Sequence, residues 1–150
     1  MGCDVAVLTE THLPDGAPAP PMPGYRAFHL GRPQERGASA HGGVAVYVAD
    51  RLAAGAHLEQ RCEGGRFGWL RIDEIVGLPA PLCIGAAYIP PHYSSRTLNA
   101  ADDLLAIDSL ETLAIEAAEQ GALVLIAGDL NAHTAALGAP GRRSADDGRR

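Results

Sequence analysis

The sequence contains no lysine, few aromatic residues and only three cysteines. All 12 basic residues are arginine, and aromatic residues make up 5% of the 150 residues. Cys3, Cys62 and Cys83 are odd in number and far apart, and they form no Cys-x-x-Cys pair. This spacing argues against a disulfide framework or a zinc site and is typical of free thiols in a reducing compartment. We therefore expect an intracellular protein, cytoplasmic or nuclear.

The sequence also lacks any long hydrophobic run. No apolar stretch approaches the roughly 18 residues that a membrane-spanning helix needs. The N-terminal segment carries Asp4 and Glu10 where a signal peptide would have basic and then apolar residues. Ala6 occupies the position at which an N-myristoylation motif needs a hydroxyl residue. The sequence thus predicts no membrane partner.

The overall composition is typical of one folded domain. Hydrophobic residues make up 47% of the chain and charged residues 20%, which argues against disorder. We predict a single domain over residues 1–150, with its core in 1–140 and a disordered tail in 141–150. The net charge of −6 argues against a generic nucleic-acid-binding surface, because phosphate contacts need a basic face.

Short apolar runs and one long amphipathic segment predict the order of elements. Strand-like runs occur at residues 5–8, 25–30, 43–49, 66–74 and 82–89. The last three of these, joined by short turns, predict an antiparallel meander. The segment 14–24, rich in proline and glycine, predicts a loop.

Helical spacing then replaces strand spacing. Residues 99–120 predict a helix that stops at Gly121. Its expected apolar face consists of Ile107, Leu110, Leu113, Ala114 and Ala117. Its acidic residues are expected outside, near its start, and they are Asp102, Asp103, Asp108 and Glu111. Residues 122–127 (ALVLIA) predict a fully buried strand that runs into Gly-Asp-Leu-Asn at 128–131.

Polar residues follow two of the predicted strands, at the points where the strands end. Glu10 comes after the first strand, and Asp129 and Asn131 come after the last. A carboxylate at a strand end is solvated and available to a ligand, and carboxylate oxygens are the donors that Mg²⁺ prefers. Strand alternation would place Asp129 and Asn131 on one side, where they could bracket a phosphate. Taken alone, each pattern is better explained by a surface residue or an ordinary turn.

Three short motifs nevertheless occur in a fixed order: Thr9-Glu10-Thr11, Tyr88-Ile89-Pro90 and Gly128-Asp129-Leu130-Asn131. They resemble the Q-E-T, Y-x-P and G-D-F-N motifs of the endonuclease/exonuclease/phosphatase superfamily. The Asn-Ala-His at 131–133, the strand around Trp69 and the tail at 146–149 resemble the branch found in non-LTR retrotransposons, where the endonuclease accompanies a reverse transcriptase. The resemblance runs from about Asp4 to Arg149.

The resemblance implies a DNase I-like fold of the α/β (α+β) class, here a partial two-layer β-sandwich flanked by helices. It implies a metal-dependent phosphodiesterase, most like a DNA endonuclease, with Mg²⁺ or Mn²⁺ as cofactor and DNA as substrate. Glu10 would be a metal ligand, and Tyr88 would lie beside the scissile phosphate. Asp129 would position and activate the attacking water, and Asn131 would hold the phosphate.

The chain also departs from the family pattern. It opens after the point where the family has a strand with a metal-site Asn, and it has no Ser-Asp-His motif. The resemblance therefore implies a domain truncated at both ends, with an exposed sheet edge or apolar face. Thr9 replaces the usual Gln, and Leu130 the usual Phe. Three alternatives stay open: an inactive remnant or gene-model fragment, a phosphoinositide or sphingomyelin phosphodiesterase, and a binding module in which Glu10, Asp129 and Asn131 do not converge.

Overall fold

A computed structural model describes residues 2–31, 42–62, 64–74, 77–90 and 100–131 of the chain. The elements in chain order are β1 (Val5–Thr9), β2 (Tyr25–Leu30), β3 (Val44–Ala49), α1 (Asp50–Ala53), β4 (Ala56–Arg61), β5 (Phe67–Ile72), β6 (Leu82–Tyr88), α2 (Ala100–Glu119) and β7 (Leu123–Asp129). The predicted tail at 141–150 lies outside the described residues.

The strands form two sheets. The first has the order β1-β3-β2 and the second the order β4-β5-β6-β7. All pairings are antiparallel except that of β6 with β7. A parallel pair needs a long connection, and α2 lies between these two strands in sequence. The protein is therefore of mixed α/β class, with two sheets and few helices among the described residues.

The main core lies between the two sheets. Alternate residues of β3 face it, and all are fully buried: Val44, Val46 and Val48. Leu70 and Ile72 of β5 meet them from the second sheet. A smaller core lies on the other face of the second sheet, where Phe67, Trp69, Leu110 and Ala117 are buried between β5 and α2. Strands β5 and β6 of the second sheet are thus covered on both faces.

An antiparallel meander is present, but the prediction assigns the wrong first strand to it. Residues 43–49 belong to the first sheet, whereas the meander consists of β4, β5 and β6. Strand β4 escaped prediction because its sequence, AHLEQR, has only two apolar residues and a register shift after Leu58. It is an edge strand, so only one of its faces needs to be apolar.

Helix α2 matches its predicted bounds, and its predicted apolar face is confirmed except at Ile107, since Leu110, Leu113, Ala114 and Ala117 all pack in the smaller core. Ile107 is 37% exposed, while Ala106 and Leu110 are buried against the second sheet. Asp103, predicted to lie outside, is only 1% exposed and forms an ion pair with buried Arg66 of the loop before β5. The side chain of Asp102 lies outside the described part. No helix in the part of the chain that the structure describes is long and apolar enough to cross a membrane.

The proline-rich segment 14–24 is a loop, as predicted, and it is tied to the first sheet and to β4. The hydroxyl of Tyr47 on β3 donates a hydrogen bond to the carbonyl oxygen of Pro20 at 2.8 Å. Asp15 forms an ion pair with Arg61 at 2.5 Å, and this guanidinium lowers the pKa of the Asp15 carboxyl. These contacts fix a segment that has no regular secondary structure of its own.

Strand β7 is not the fully buried strand that its sequence predicts. Four consecutive apolar side chains are more than a third exposed: Leu123, Val124, Leu125 and Ile126. The cause is position, because β7 is the edge of the second sheet and pairs only with β6 among the described strands. The exposed sheet edge with apolar faces, expected from the resemblance, is therefore confirmed for this strand.

We expect this edge to cause self-association. The first six residues of β7 carry no charge and no proline, and an edge strand of this kind offers unpaired backbone groups to another chain. Leu125→Lys should reduce association in size-exclusion chromatography with light scattering, because a charge on the edge blocks strand addition. Ile115→Lys is the matched control, since Ile115 is also exposed but lies on α2. Equal effects of the two variants would show that added charge, and not the edge, is responsible.

Candidate functional site

The end of β1 and the end of β6 meet through one side-chain hydrogen bond. Glu10 directly follows β1, and Tyr88 is the last residue of β6. The hydroxyl of Tyr88 donates to Oε1 of Glu10 at 2.5 Å. Tyr88 is only 7% exposed, whereas the Glu10 side chain is about half exposed, at 54%. A buried phenol thus holds one oxygen of a carboxylate that otherwise faces solvent.

Asp129 reaches the same rim on the neighbouring strand. It is the register partner of Tyr88 in the parallel β6–β7 pair, and its carbonyl oxygen accepts the backbone N–H of Ile89 at 2.9 Å. Register partners point to the same face of a sheet, and neighbouring strands lie about 4.8 Å apart. The Asp129 carboxylate is exposed. Tyr88 and Asp129 therefore lie on one side of the second sheet, and Glu10 contacts Tyr88 there.

Asn131 lies beside Asp129 and is held by two hydrogen bonds. Its backbone N–H donates to Oδ1 of Asp129 at 3.0 Å, and its Nδ2 donates to the carbonyl oxygen of Ile89 at 2.8 Å. The first bond is the local turn that the Gly-Asp-Leu-Asn sequence favours by itself. The amide nitrogen carries two hydrogens, so the second one can still donate to a ligand. The turn and a binding role are compatible.

Backbone conformations of high energy concentrate at this rim. Glu10 and His12 both have φ of 54°, and Asn131 has φ of 44°. Among the described residues, no other non-glycine residue has a positive φ. Such conformations are sparsely populated for residues with a Cβ, and they cluster at functional sites. All three lie within three residues of the ends of β1 and β7.

Gly128 is required at the position before Asp129. Its φ is 132°, a conformation that residues with a side chain rarely adopt, and a Cβ there would collide with the backbone of Ala87 on β6. The close approach of the two backbones sets the position at which Asp129 leaves the sheet. The glycine in the Gly-Asp-Leu-Asn motif therefore has a steric reason.

Gly128→Ala should destabilise the fold more than Gly121→Ala. Gly121 also has a positive φ, of 80°, but a Cβ there would meet open space. Gly121→Ala should lower the free energy of unfolding only by the cost of the left-handed conformation, about 1–2 kcal/mol. Gly128→Ala should lower it further, because the new Cβ also collides with the backbone of Ala87. Urea unfolding followed by the fluorescence of the single tryptophan, Trp69, measures both. Similar losses in the two variants would contradict a tight β6–β7 approach.

Two histidines outside the sequence motifs lie next to motif residues: His12 beside Glu10, and His29 beside Thr11. His12 places its Nε2 3.9 Å from Oε2 of Glu10, and both side chains are about half exposed. Thr11 Oγ1 lies 3.2 Å from Nε2 of His29 on β2. We expected His12 to be a loop residue, and His29 is one polar residue in an alternating strand. No sequence signal distinguishes His29, because its contact with Thr11 depends on the pairing of β2 and β3.

The exposed carboxylates fit Mg²⁺ or Mn²⁺ by their chemistry. Mg²⁺ takes hard oxygen donors, typically one or two carboxylates, and keeps several of its waters. Glu10 and Asp129 supply such oxygens at one solvent-exposed rim. No group of three or more His, Cys, Asp or Glu residues that could hold a metal occurs in the described ranges. One or two carboxylates, with the remaining positions taken by water, match the coordination that Mg²⁺ favours.

The structure brings all four sequence-predicted residues to one rim, but by a different route from the expected one. We expected Glu10 and the Asp129–Asn131 pair on two neighbouring central strands. Strands β1 and β7 instead belong to different sheets, each at an edge, and β1 packs against β7 across the sandwich. Tyr88 on β6 joins the two halves. No family model matches this chain, and a search of curated proteins found no match to it.

Proposed function

We propose that this protein is a metal-dependent phosphodiester hydrolase, and specifically a DNA endonuclease of the retrotransposon type. One observation carries the proposal, namely the hydrogen bond from Tyr88 to Glu10 beside Asp129. It joins one residue from each of the first two motifs, and the third motif ends the strand that pairs with β6. This proximity supports a common site over a binding module in which the three motifs are scattered.

The rim divides the work between its residues. Glu10 is the ligand for a divalent cation, which would supply charge stabilisation at the phosphate when bound. Tyr88 holds the Glu10 carboxylate through its hydroxyl, so its first role is to orient Glu10. Asp129 accepts a proton from the attacking water with the carboxylate oxygen that the turn leaves open. Asn131 donates the remaining Nδ2 hydrogen to a phosphate oxygen.

The two-sheet architecture supports the finer fold proposal. A three-stranded and a four-stranded sheet pack face to face, and a helix covers the outer face of the larger one. The proposed site lies at the end of the sandwich where β1, β6 and β7 finish. This arrangement suits a DNase I-like sandwich, in which strand ends carry the chemistry and the core below stays rigid.

Plasmid nicking tests the proposal. Supercoiled plasmid incubated with the purified chain should convert to the open circular form in the presence of Mg²⁺ or Mn²⁺ and not in EDTA. Glu10→Gln should abolish nicking or shift it to much higher metal concentrations, because it replaces an anionic ligand by a neutral amide. A folded chain that leaves the plasmid intact at all metal concentrations would contradict the proposal and favour a non-catalytic domain.

A further inference from the structure

Thr11 lies between two residues in the left-handed conformation and is fixed on several sides. Its backbone N–H donates to the carbonyl oxygen of Gly43 at 3.3 Å, and the N–H of His12 donates to that of Gly42 at 2.9 Å. A Cβ on Gly43 would come within 2.5 Å of the Thr11 hydroxyl oxygen, so the start of β3 is shaped around this side chain. The turn after β1 is therefore held from the first sheet.

His29 fixes the Thr11 hydroxyl from the far strand of that sheet. Its Nδ1 lies 2.8 Å from the carbonyl oxygen of Ala17, which can only accept a hydrogen bond, so Nδ1 carries the proton. In the neutral ring Nε2 is then an acceptor, and Thr11 Oγ1 donates to it at 3.2 Å. The imidazole thereby links Thr11 to the proline-rich loop.

We propose that Thr11 and His29 are positioning residues that hold Glu10 in its left-handed conformation and so aim its carboxylate at the cation. The inference rests on the proposed function, because Glu10 is its metal ligand. A positive φ at a glutamate is a conformation of high energy and persists only where the surroundings enforce it. The bonds of Thr11 to Gly43 and His29 provide that constraint one residue away.

Partners behind a metal ligand typically change metal affinity 10- to 100-fold when they are lost. Thr11→Val keeps the side-chain shape and removes the hydroxyl, and His29→Leu removes the acceptor. Both should weaken Mn²⁺ binding about tenfold, measured by electron paramagnetic resonance of free Mn²⁺. Thr11→Ser restores the hydroxyl and His29→Gln restores an acceptor near the Nε2 position, so both should bind Mn²⁺ like the natural chain.

A second measurement needs no metal. A strong NOE between the amide proton and Hα of one residue marks a positive φ, so NMR reports the Glu10 backbone directly. Thr11→Val should weaken this NOE for Glu10, and Thr11→Ser should keep it. Thermal melting followed by Trp69 fluorescence identifies any variant that fails to fold. If the His29 variants fail to fold, the comparison of Thr11→Val with Thr11→Ser still tests the proposal, because each changes only one hydroxyl or one methyl group.

The two measurements separate this inference from the proposed function. Glu10→Gln abolishing Mn²⁺ binding while Thr11→Val and His29→Leu bind within twofold of the natural chain would overturn the positioning role alone. If Glu10→Gln leaves Mn²⁺ binding unchanged, the metal role of Glu10 fails. The NMR measurement then tests whether Thr11 holds Glu10 in the left-handed conformation. An unchanged Glu10 NOE in Thr11→Val overturns this role, and a lost NOE supports it.

Discussion

Asp129→Asn is expected to slow plasmid nicking by a factor of about 10² to 10⁴, the usual contribution of a general base. The substitution keeps the shape of the side chain and an oxygen that can accept the backbone N–H of Asn131 at the turn. The fold should therefore survive while the group that accepts the proton is lost. Nicking rates at saturating Mg²⁺, compared with unfolding curves of the same preparations, measure the effect.

Asp108→Asn is the matched control for this variant. It makes the same chemical change at an exposed carboxylate in the middle of α2, far from the ends of β1, β6 and β7. Its nicking rate should equal that of the natural chain. A loss of activity in Asp108→Asn as large as that in Asp129→Asn would point to net charge or folding as the cause, and would remove Asp129 from the mechanism.

Arg66→Met is expected to lower the free energy of unfolding by about 3–5 kcal/mol, because it leaves a buried carboxylate without its cation. Arg66 and Asp103 are both buried, and the pair connects the loop before β5 to α2. Oδ2 of Asp103 already lacks a hydrogen-bond partner among the described residues. Since domains of this kind are stable by about 5–15 kcal/mol, urea unfolding should show a large shift of the midpoint.

Two further variants show whether burial is the reason. The double variant Arg66→Met with Asp103→Leu replaces both charges by apolar groups and should recover most of the lost stability, since a buried ion pair is often replaceable by packed side chains. Arg71→Met breaks a more exposed pair, in which Arg71 Nε lies 3.1 Å from Asp73. It should cost about 1 kcal/mol or less. An equal cost for Arg66→Met and Arg71→Met would contradict the argument.

The sequence predicts those elements whose pattern is decided locally. The bounds of α2 follow from helical spacing and from Gly121, which has the positive φ of 80° typical of a helix end. Alternation in the sequence of β5 matches the structure, in which Leu70 and Ile72 face the main core and Trp69 faces the smaller core beside α2. Both signals depend on neighbours within a few positions, so no knowledge of the remaining fold is needed.

The wrong predictions concern features that depend on contacts between residues far apart in the sequence. In the sequence, Asp103 resembles any acidic residue in the first turns of a helix. Its burial is possible because it forms an ion pair with Arg66, a contact that the local sequence does not reveal. Strand β7 has the composition of a central strand, yet pairing leaves it at an edge. The spacing of apolar residues and the composition of a strand do not show which strands become its neighbours. For the same reason the sequence does not reveal that residues 43–49 belong to the first sheet and not to the meander.

The candidate site shows the same division. The residues themselves came from short motifs, and the structure places Glu10, Tyr88, Asp129 and Asn131 at one rim. The role of Tyr88 as a donor to Glu10 was not foreseen, because it depends on how two sheets face each other. The contact of His29 with Thr11 likewise depends on β2 pairing with β3. Whether these residues catalyse hydrolysis stays a prediction for the nicking assay.

The bond between Tyr88 and Glu10 joins positions 78 residues apart in the chain. Joining such remote segments costs more entropy than a local contact does, since the entropy lost on closing a loop grows with its length. Both β1 and β7 are edge strands, and edges detach more easily than strands that are paired on two sides. Fraying of either one would separate the two carboxylates while most secondary structure persisted. On heating or in denaturant, the proposed nicking activity should therefore be lost before circular dichroism shows a loss of secondary structure.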